Sequence, residues 1–245
     1  MDAVVYGQQP VLVGAGMDFE ARLAEGPGVI VVYGQNRCKY RENLHYHARN
    51  VCGIISFGVA GGLSPSLSPG DVVVASSVIT ARGSSRTSAD WSKSLLRLLP
   101  GAHHIPIFGA EKPAVTVLEK EALWSETGAG AVDMESGAVA EAAAQFCLPY
   151  AVLRVVLDPA SRALPPSALA GAREDGTTDA KAVVKALMKR PQDFPALMRL
   201  AEDNRRANDA LLRCRQALGP LFGFGPLRAG GLAVNAERAE ALTER

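Results

Sequence analysis

The fold of this chain is decided by the stretch Cys52-Gly53-Ile54-Ile55-Ser56-Phe57-Gly58-Val59-Ala60-Gly61-Gly62-Leu63. A short apolar run rich in Ile and bounded by glycine is typical of a strand that is buried on both faces. Gly58, Gly61 and Gly62 remove side chains from the backbone where this strand ends, so a flat ligand can lie against it. The stretch therefore predicts an α/β sheet with a binding loop at a strand end. Glycines that only serve tight turns are the alternative.

Length and composition set the class of protein. The chain has 245 residues, of which 48% are hydrophobic, and this suffices for one sizeable α/β core. Lys and Arg number 26 against 25 Asp and Glu, so no electrostatic footprint for nucleic acid is present. Four scattered cysteines, no signal-peptide pattern and no long apolar run predict a reduced, cytoplasmic protein. We expect one domain over residues 1–222 and a Gly-rich to polar tail over residues 223–245.

Two further segments place polar residues directly after apolar strands. Val132-Asp133-Met134-Glu135 follows a short strand and precedes an alanine-rich helix, and Arg154-Val155-Val156-Leu157-Asp158 ends the last buried strand. Because ligands gather at strand ends in open α/β sheets, we expect both segments to lie beside the glycine loop. The sequence therefore predicts a flat slot with two carboxylates, Glu135 and Asp158. Each acid alone is also compatible with an ordinary helix start or an Asp-Pro turn.

Other motifs do not assemble into a cofactor or metal site. Gly14-Ala15-Gly16 begins like a dinucleotide-binding fingerprint, but Phe19 stands where its third glycine belongs. His45 and His47 are two residues apart in a predicted helix, so they point to different faces and do not form a metal pair. We therefore predict no metal and no nucleotide cofactor.

In order and content, the segments from Val11 to Asp158 resemble the nucleoside phosphorylase and nucleosidase family. Residues 57–62, with residues 70–73 behind them, are similar to its base-binding loop and following strand. Residues 132–135 resemble its ribose-binding motif, and residues 154–158 its catalytic segment. The resemblance implies a three-layer α/β/α phosphorylase-like fold with a mixed, twisted central sheet, and a homodimer.

The resemblance also implies roles for individual residues. Gly16-Met17-Asp18-Phe19-Glu20 resembles the start of the methylthioadenosine and S-adenosylhomocysteine nucleosidases, in which the final Glu handles the attacking water. The catalytic residues would be Asp158 and Glu20. The substrate-binding residues would be Gly58, Val59, Ala60, Gly61, Val132, Met134, Glu135 and Arg154.

Physical chemistry agrees with these roles. Cleaving an N-ribosidic bond builds positive charge on the sugar and negative charge on the departing base, so the site needs a proton donor and anionic groups. Burial at a strand end should help Asp158 to hold a proton. Glu135, at a helix start, should stay ionised and accept hydrogen bonds from ribose hydroxyls.

A narrower resemblance points to the hopanoid-associated phosphorylase branch, which removes adenine from adenosylhopane. It rests on residues 127–136 and on Leu164-Pro165-Pro166. It implies a lipid-tailed nucleoside as substrate and a lid over about residues 160–200, with Leu164 and Leu169 as its apolar contacts. Basic side chains in the lid predict peripheral contact with the inner face of the membrane. The alternatives are a methylthioadenosine or S-adenosylhomocysteine nucleosidase, a phosphate-dependent purine nucleoside phosphorylase, and a non-catalytic nucleoside- or lipid-binding module.

Departures from the family pattern concern the nucleophile. Leu157 stands where a Ser is usual, and Ser56 stands where many hexameric phosphorylases carry a phosphate-binding Arg. We therefore expect hydrolysis. Inorganic phosphate as co-substrate is the alternative, with Arg82 or Arg86 in the polar, loop-like span 82–90 supplying its contacts.

Overall fold

The computed structural model describes residues 9–225, so most of the predicted tail lies outside the described residues. Eight strands form one mixed sheet in this part of the chain. In chain order they are β1 Val11–Ala15, β2 Val29–Tyr33, β3 Gly53–Gly62, β4 Val72–Thr80, β5 Gly83–Arg86, β6 His103–Gly109, β7 Ala131–Asp133 and β8 Tyr150–Asp158. The helices are α1 Asp18–Ala24, α2 Arg37–Ala48, α3 Ala89–Leu98, α4 Val117–Thr127, α5 Ser136–Gln145, α6 Pro166–Leu169, α7 Ala180–Lys189 and α8 Phe194–Leu218.

Part of the sheet closes on itself. Strand β3 pairs in parallel with β8 and antiparallel with β7, β7 continues to β6 and β4, and β4 returns to β8. Strands β1 and β2 extend the sheet beyond β3, and β5 extends it beyond β4. The predicted mixed central sheet with surrounding helices is confirmed, and the ring of five strands is a feature that the sequence did not predict.

Apolar side chains alternate between two cores, one on each face of the sheet. Leu12 and Ile54 face the core that α2 and α5 cover, whereas Val13 and Ile55 face the core under α3 and α8. All four side chains are fully buried. Burial on both faces explains why β1 and β3 are continuous apolar runs rather than alternating ones.

The polar span after β4 contains a strand that the sequence did not predict. Residues 83–86 form β5, which pairs antiparallel with β4 at the edge of the sheet. Its sequence is Gly-Ser-Ser-Arg and most of it is exposed, so it carries no apolar alternation from which a strand could be predicted. The prediction of a loop over residues 82–90 was wrong here, because backbone pairing with β4 determines the structure.

The proposed lid region contains α6, α7 and the beginning of α8. The turn at residues 174–176 in this region contacts the rest of the domain through backbone hydrogen bonds. The carbonyl of Glu174 accepts from the N–H groups of Gln35 (2.8 Å) and Asn36 (3.1 Å). The carbonyl of Gly176 accepts from the N–H group of Asp18 (3.0 Å). Within residues 9–225, no helix has the length and apolarity that crossing a membrane requires.

Candidate active site

A cavity of about 160 Å³ lies where β1, β3, β7 and β8 end. It brings together most of the residues that the sequence singled out. Its walls are formed by Gly16, Met17, Glu20, Gln35, Val59, Ala60, Gly61, Pro113, Ala114, Val132, Asp133, Met134, Glu135, Leu157, Asp158 and Leu164. A register shift between Ala60 and Gly61 sets Gly61 opposite Asp158, so the glycine loop and this carboxylate share one wall.

Glu20 is held rigidly by backbone donors at the floor of the cavity. Its Oε2 accepts hydrogen bonds from the N–H groups of Gly16 and Met17, both at 2.8 Å, and its Oε1 accepts one from Val59 at 2.7 Å. The first two bonds cap the start of α1, and the third connects α1 to the glycine loop. Burial raises the pKa of Glu20, while Arg154 and the three N–H groups oppose that rise.

Two glycines allow the acids to approach the backbone. Gly58 has a φ of +155°, and a Cβ there would overlap the carboxylate of Glu20 and lie 2.6 Å from a nitrogen of Arg154. At Gly16 a Cβ would lie 2.6 Å from Oε1 of Glu135. Neither position has room for a side chain without displacing a carboxylate. Gly58 itself lies behind the cavity wall rather than in it.

Arg154, predicted to bind substrate, instead lies behind the cavity and is completely buried. Its Nε is 2.6 Å from Oδ2 of Asp133, and one terminal nitrogen donates to Oε2 of Glu135 at 3.1 Å and to the Ser56 hydroxyl at 2.6 Å. Its charge therefore compensates the site's own carboxylates. Because Arg154 does not line the cavity and its nitrogens contact Asp133, Glu135 and Ser56, its contacts hold these two carboxylates in place.

Glu135 differs from the sequence expectation in its ionisation. Burial raises its pKa to about 7, assisted by the neighbouring carboxylates of Asp133 and Glu20 and opposed by Arg154. The sequence expectation was an ionised acid at a helix start. The structure places this carboxylate beside Asp133, Glu20 and Arg154, where its pKa is raised, so the neighbouring charges and not the helix start alone determine its ionisation.

Asp158 has a partner that the sequence interpretation missed. The ammonium of Lys120 donates to Oδ2 of Asp158, and the lysine is completely buried. Burial raises the pKa of Asp158, in the direction expected for a strand-end acid, while Lys120 opposes the rise. A signal existed, since Lys120 lies three residues from both Val117 and Leu123, which places it on the inward face of α4.

The remaining predicted residues divide into two groups. Leu164 lines the cavity beside Asp158, whereas Leu169 is outside it and 38% exposed. Arg82 pairs with Glu141 at 3.1 Å near the β4–β5 hairpin, and neither Arg82 nor Arg86 lines the cavity. Among the described residues that line it, none is Arg, Lys or His, and four are acids.

A mixed sheet with a cavity at its strand ends is the arrangement in which α/β proteins commonly bind ligands. The model of the phosphorylase superfamily matches residues 5–192, and the chain therefore belongs to this superfamily. A search among curated proteins finds no significant match.

Several solved structures share the fold. The 5′-methylthioadenosine/S-adenosylhomocysteine nucleosidase of Neisseria meningitidis, in complex with methylthio-immucillin-A, is 15% identical with a TM-score of 0.61, over 85% of this chain and 97% of the other. The corresponding nucleosidase of S. pneumoniae is 19% identical with a TM-score of 0.57, over 85% and 99%. Futalosine hydrolase of Helicobacter pylori is 19% identical with a TM-score of 0.55, over 62% and 89%.

Proposed function

We propose that this protein hydrolyses the N-ribosidic bond of an adenine nucleoside and releases adenine. One observation carries the proposal: the described lining of the cavity contains Glu20, Asp133, Glu135 and Asp158 but no basic side chain. Acidic groups stabilise the positive charge that develops on the ribose, whereas they would repel a phosphate dianion. The similarity in fold to nucleosidases and to futalosine hydrolase supports the same reaction class.

Each acid then has one role in the reaction. Asp158 gives its proton to a ring nitrogen of the departing adenine, which takes the electrons of the broken bond. Water forms the new bond to the anomeric carbon and gives its proton to Glu20, whose raised pKa suits a base that acts near neutral pH. Glu135 binds the ribose hydroxyls, and the exposed backbone of Ala60 and Gly61 lies against the base.

Phosphate should be unnecessary for turnover. With adenosine-type nucleosides, adenine release in phosphate-free buffer should match release in buffer with added inorganic phosphate, and the second product should be the free sugar. Product analysis by mass spectrometry with and without phosphate measures this. Strict phosphate dependence with a sugar 1-phosphate product would contradict hydrolysis and favour a phosphorylase.

For the natural substrate we propose a lipid-tailed nucleoside, adenosylhopane, as the resemblance to the hopanoid-associated branch implies. A cavity of about 160 Å³ is small beside the roughly 300–1,000 Å³ of ordinary ligand pockets, so a bulky lipid tail has no room inside it and would have to lie outside. The outer apolar residues of α7 and α8 offer a surface for such a tail. They are Val184, Met188, Phe194 and Met198, each more than half exposed.

Charge on the same segment favours contact with an anionic membrane. Helix α7 carries Lys181, Lys185 and Lys189, contains no acid, and has no fully buried residue. Basic residues close to an anionic leaflet contribute about 1 kcal/mol each. This supports peripheral membrane contact of a cytoplasmic protein. The homodimer that the resemblance implies stays a prediction.

The lipid proposal predicts a surface effect that depends on the substrate. Met188→Glu should lower adenine release from a lipid-tailed nucleoside in anionic vesicles severalfold, and leave release from a soluble methylthio-type nucleoside unchanged. Leu118→Glu is the matched control, because Leu118 on α4 is 77% exposed, comparable with 79% for Met188. Equal rates for wild type and Met188→Glu on the lipid-tailed substrate, with faster turnover of the methylthio compound, would instead support a methylthioadenosine-type nucleosidase.

A further inference from the structure

Lys120 is a buried cation, and each of the three N–H groups of its ammonium donates a hydrogen bond. Its ammonium donates to Oδ2 of Asp158, to the carbonyl of Pro159 at 2.9 Å and to the carbonyl of Arg162 at 2.7 Å. Asp158 is the only carboxylate among these acceptors. A buried ammonium is tolerated only when it is paired and hydrogen-bonded, so this lysine and this acid depend on each other.

The pairing leaves one oxygen of Asp158 for the ligand. Oδ2 is taken by Lys120, whereas Oδ1 has no hydrogen-bond partner among the described residues, and Asp158 lines the cavity. Helix α4, which carries Lys120, is fixed at its start by Thr116 and Glu119, each capping the backbone of the other. The ammonium therefore approaches Asp158 from a rigid element.

We propose that Lys120 is a positioning residue for the proton donor: it orients the Asp158 carboxyl and stabilises the carboxylate that proton transfer leaves behind. This inference rests on the proposed function. When the bond to adenine breaks, its electron pair goes to the base, and the proton on Oδ1 moves to a ring nitrogen. Asp158 becomes an anion in contact with the ammonium, which keeps its own three protons. Preorganised charge of this kind acts on the transition state without having to reorganise.

Other charges near Asp158 largely compensate each other. Arg162, on the segment after β8, pairs with Asp203 of α8 at 2.7 Å. Arg162 lowers the pKa of Asp158 and Asp203 raises it, and both contribute less than Lys120. Gly61 of β3 also lies beside Asp158, and Val132 of β7 lies beside Gly61. Neither residue has a side chain that titrates. After burial, which raises the pKa of Asp158, Lys120 is therefore the largest influence on it and the main one that lowers it.

The test is the pH profile of Lys120→Met. A proton donor works only while it is protonated, so activity is lost as pH rises through its pKa. Without the ammonium the carboxylate form is less stable, and the alkaline limb of kcat/KM should move upward by about one pH unit or more. Turnover at the optimum should fall by about 10²-fold. A uniform loss with an unmoved limb would mean that Lys120 is merely structural and would overturn the proposal.

Two further variants serve as a control and as a substitute for Lys120→Met. Lys93→Met, at an exposed lysine on α3, is the control and should leave the profile unchanged. Lys120→Gln keeps donors for the two carbonyls but carries no charge, so it tests the same shift if Lys120→Met does not fold.

A measurement without substrate separates this proposal from the proposed function. Carbon-13 NMR titration of the Asp158 carboxyl should show a higher pKa in the Lys120 variants than in the wild type. If that rise is found but no nucleoside is cleaved, the proposed function fails while the control of Asp158 by Lys120 stands. An unchanged titration overturns the role of Lys120 even in an active enzyme.

Discussion

Replacing Asp158 with Asn should lower adenine release by about 10²- to 10⁴-fold, because the amide cannot give a proton to the departing base. The structure adds a cost in stability. Within residues 9–225, Asp158 is the one carboxylate bound to the buried Lys120. Where Asp158 is ionised in the free enzyme, its replacement removes one partner of a buried ion pair, which typically costs about 3–5 kcal/mol. Turnover of adenosine-type nucleosides and thermal unfolding of the same preparation measure the two effects.

The matched control removes both charges. In Asp158→Asn/Lys120→Met the buried cation is gone as well, so stability should recover relative to the single Asn variant while turnover stays low. If the single variant keeps most of its activity, Asp158 is not the general acid. If activity recovers together with stability in the double variant, the loss came from unfolding and the assignment fails in the same way.

Replacing Glu20 with Gln should also lower turnover by about 10²- to 10⁴-fold, through loss of the base that accepts the proton of water. The carboxylate accepts three backbone N–H groups, from Gly16, Met17 and Val59. An amide has one acceptor oxygen, so at least one of these buried donors loses its partner, at about 1–3 kcal/mol. Steady-state turnover at saturating nucleoside, with a thermal melt, measures both effects.

Asp18→Asn is the control for Glu20→Gln, since Asp18 lies on the same helix. Its carboxylate forms a surface pair with Arg22 at 2.9 Å, and such pairs are worth about 0–1 kcal/mol. It should change neither turnover nor stability appreciably. Equal activity of Glu20→Gln and wild type would remove Glu20 from the chemistry, and another group would then have to activate the water.

Local sequence predicted the parts of the site that follow directly from buried strands. The glycine loop after β3, the acid after β7 and the acid at the end of β8 were all placed correctly at one cavity, since strand ends fix where the chain emerges from the sheet. The ring of five strands could not be predicted from local sequence. It depends on pairing between segments such as β3 and β8, which are far apart in sequence.

The contacts behind the cavity were also beyond local reasoning. Lys120 reaches Asp158 across 38 residues, and Arg154 reaches Ser56 across 98. The sequence predicted Arg154 as a substrate-binding residue, because its strand position could not reveal that neighbouring acids enclose its charge behind the cavity. The raised pKa of Glu135 was missed for the same reason, because the sequence does not show which other acids lie beside a helix start.

The closed ring of strands has an evolutionary consequence. A slip of one residue in β3 would turn every side chain to the opposite face, and in a ring it would have to be matched by all the neighbouring strands. Asp158 ends a strand of this ring and Glu135 follows another, while Glu20, on α1 outside the ring, accepts a hydrogen bond from Val59 of β3. Helix α7, by contrast, has no fully buried residue. If the proposed function holds, substitutions on its exposed face should change which substrates are accepted while the geometry of bond cleavage stays the same.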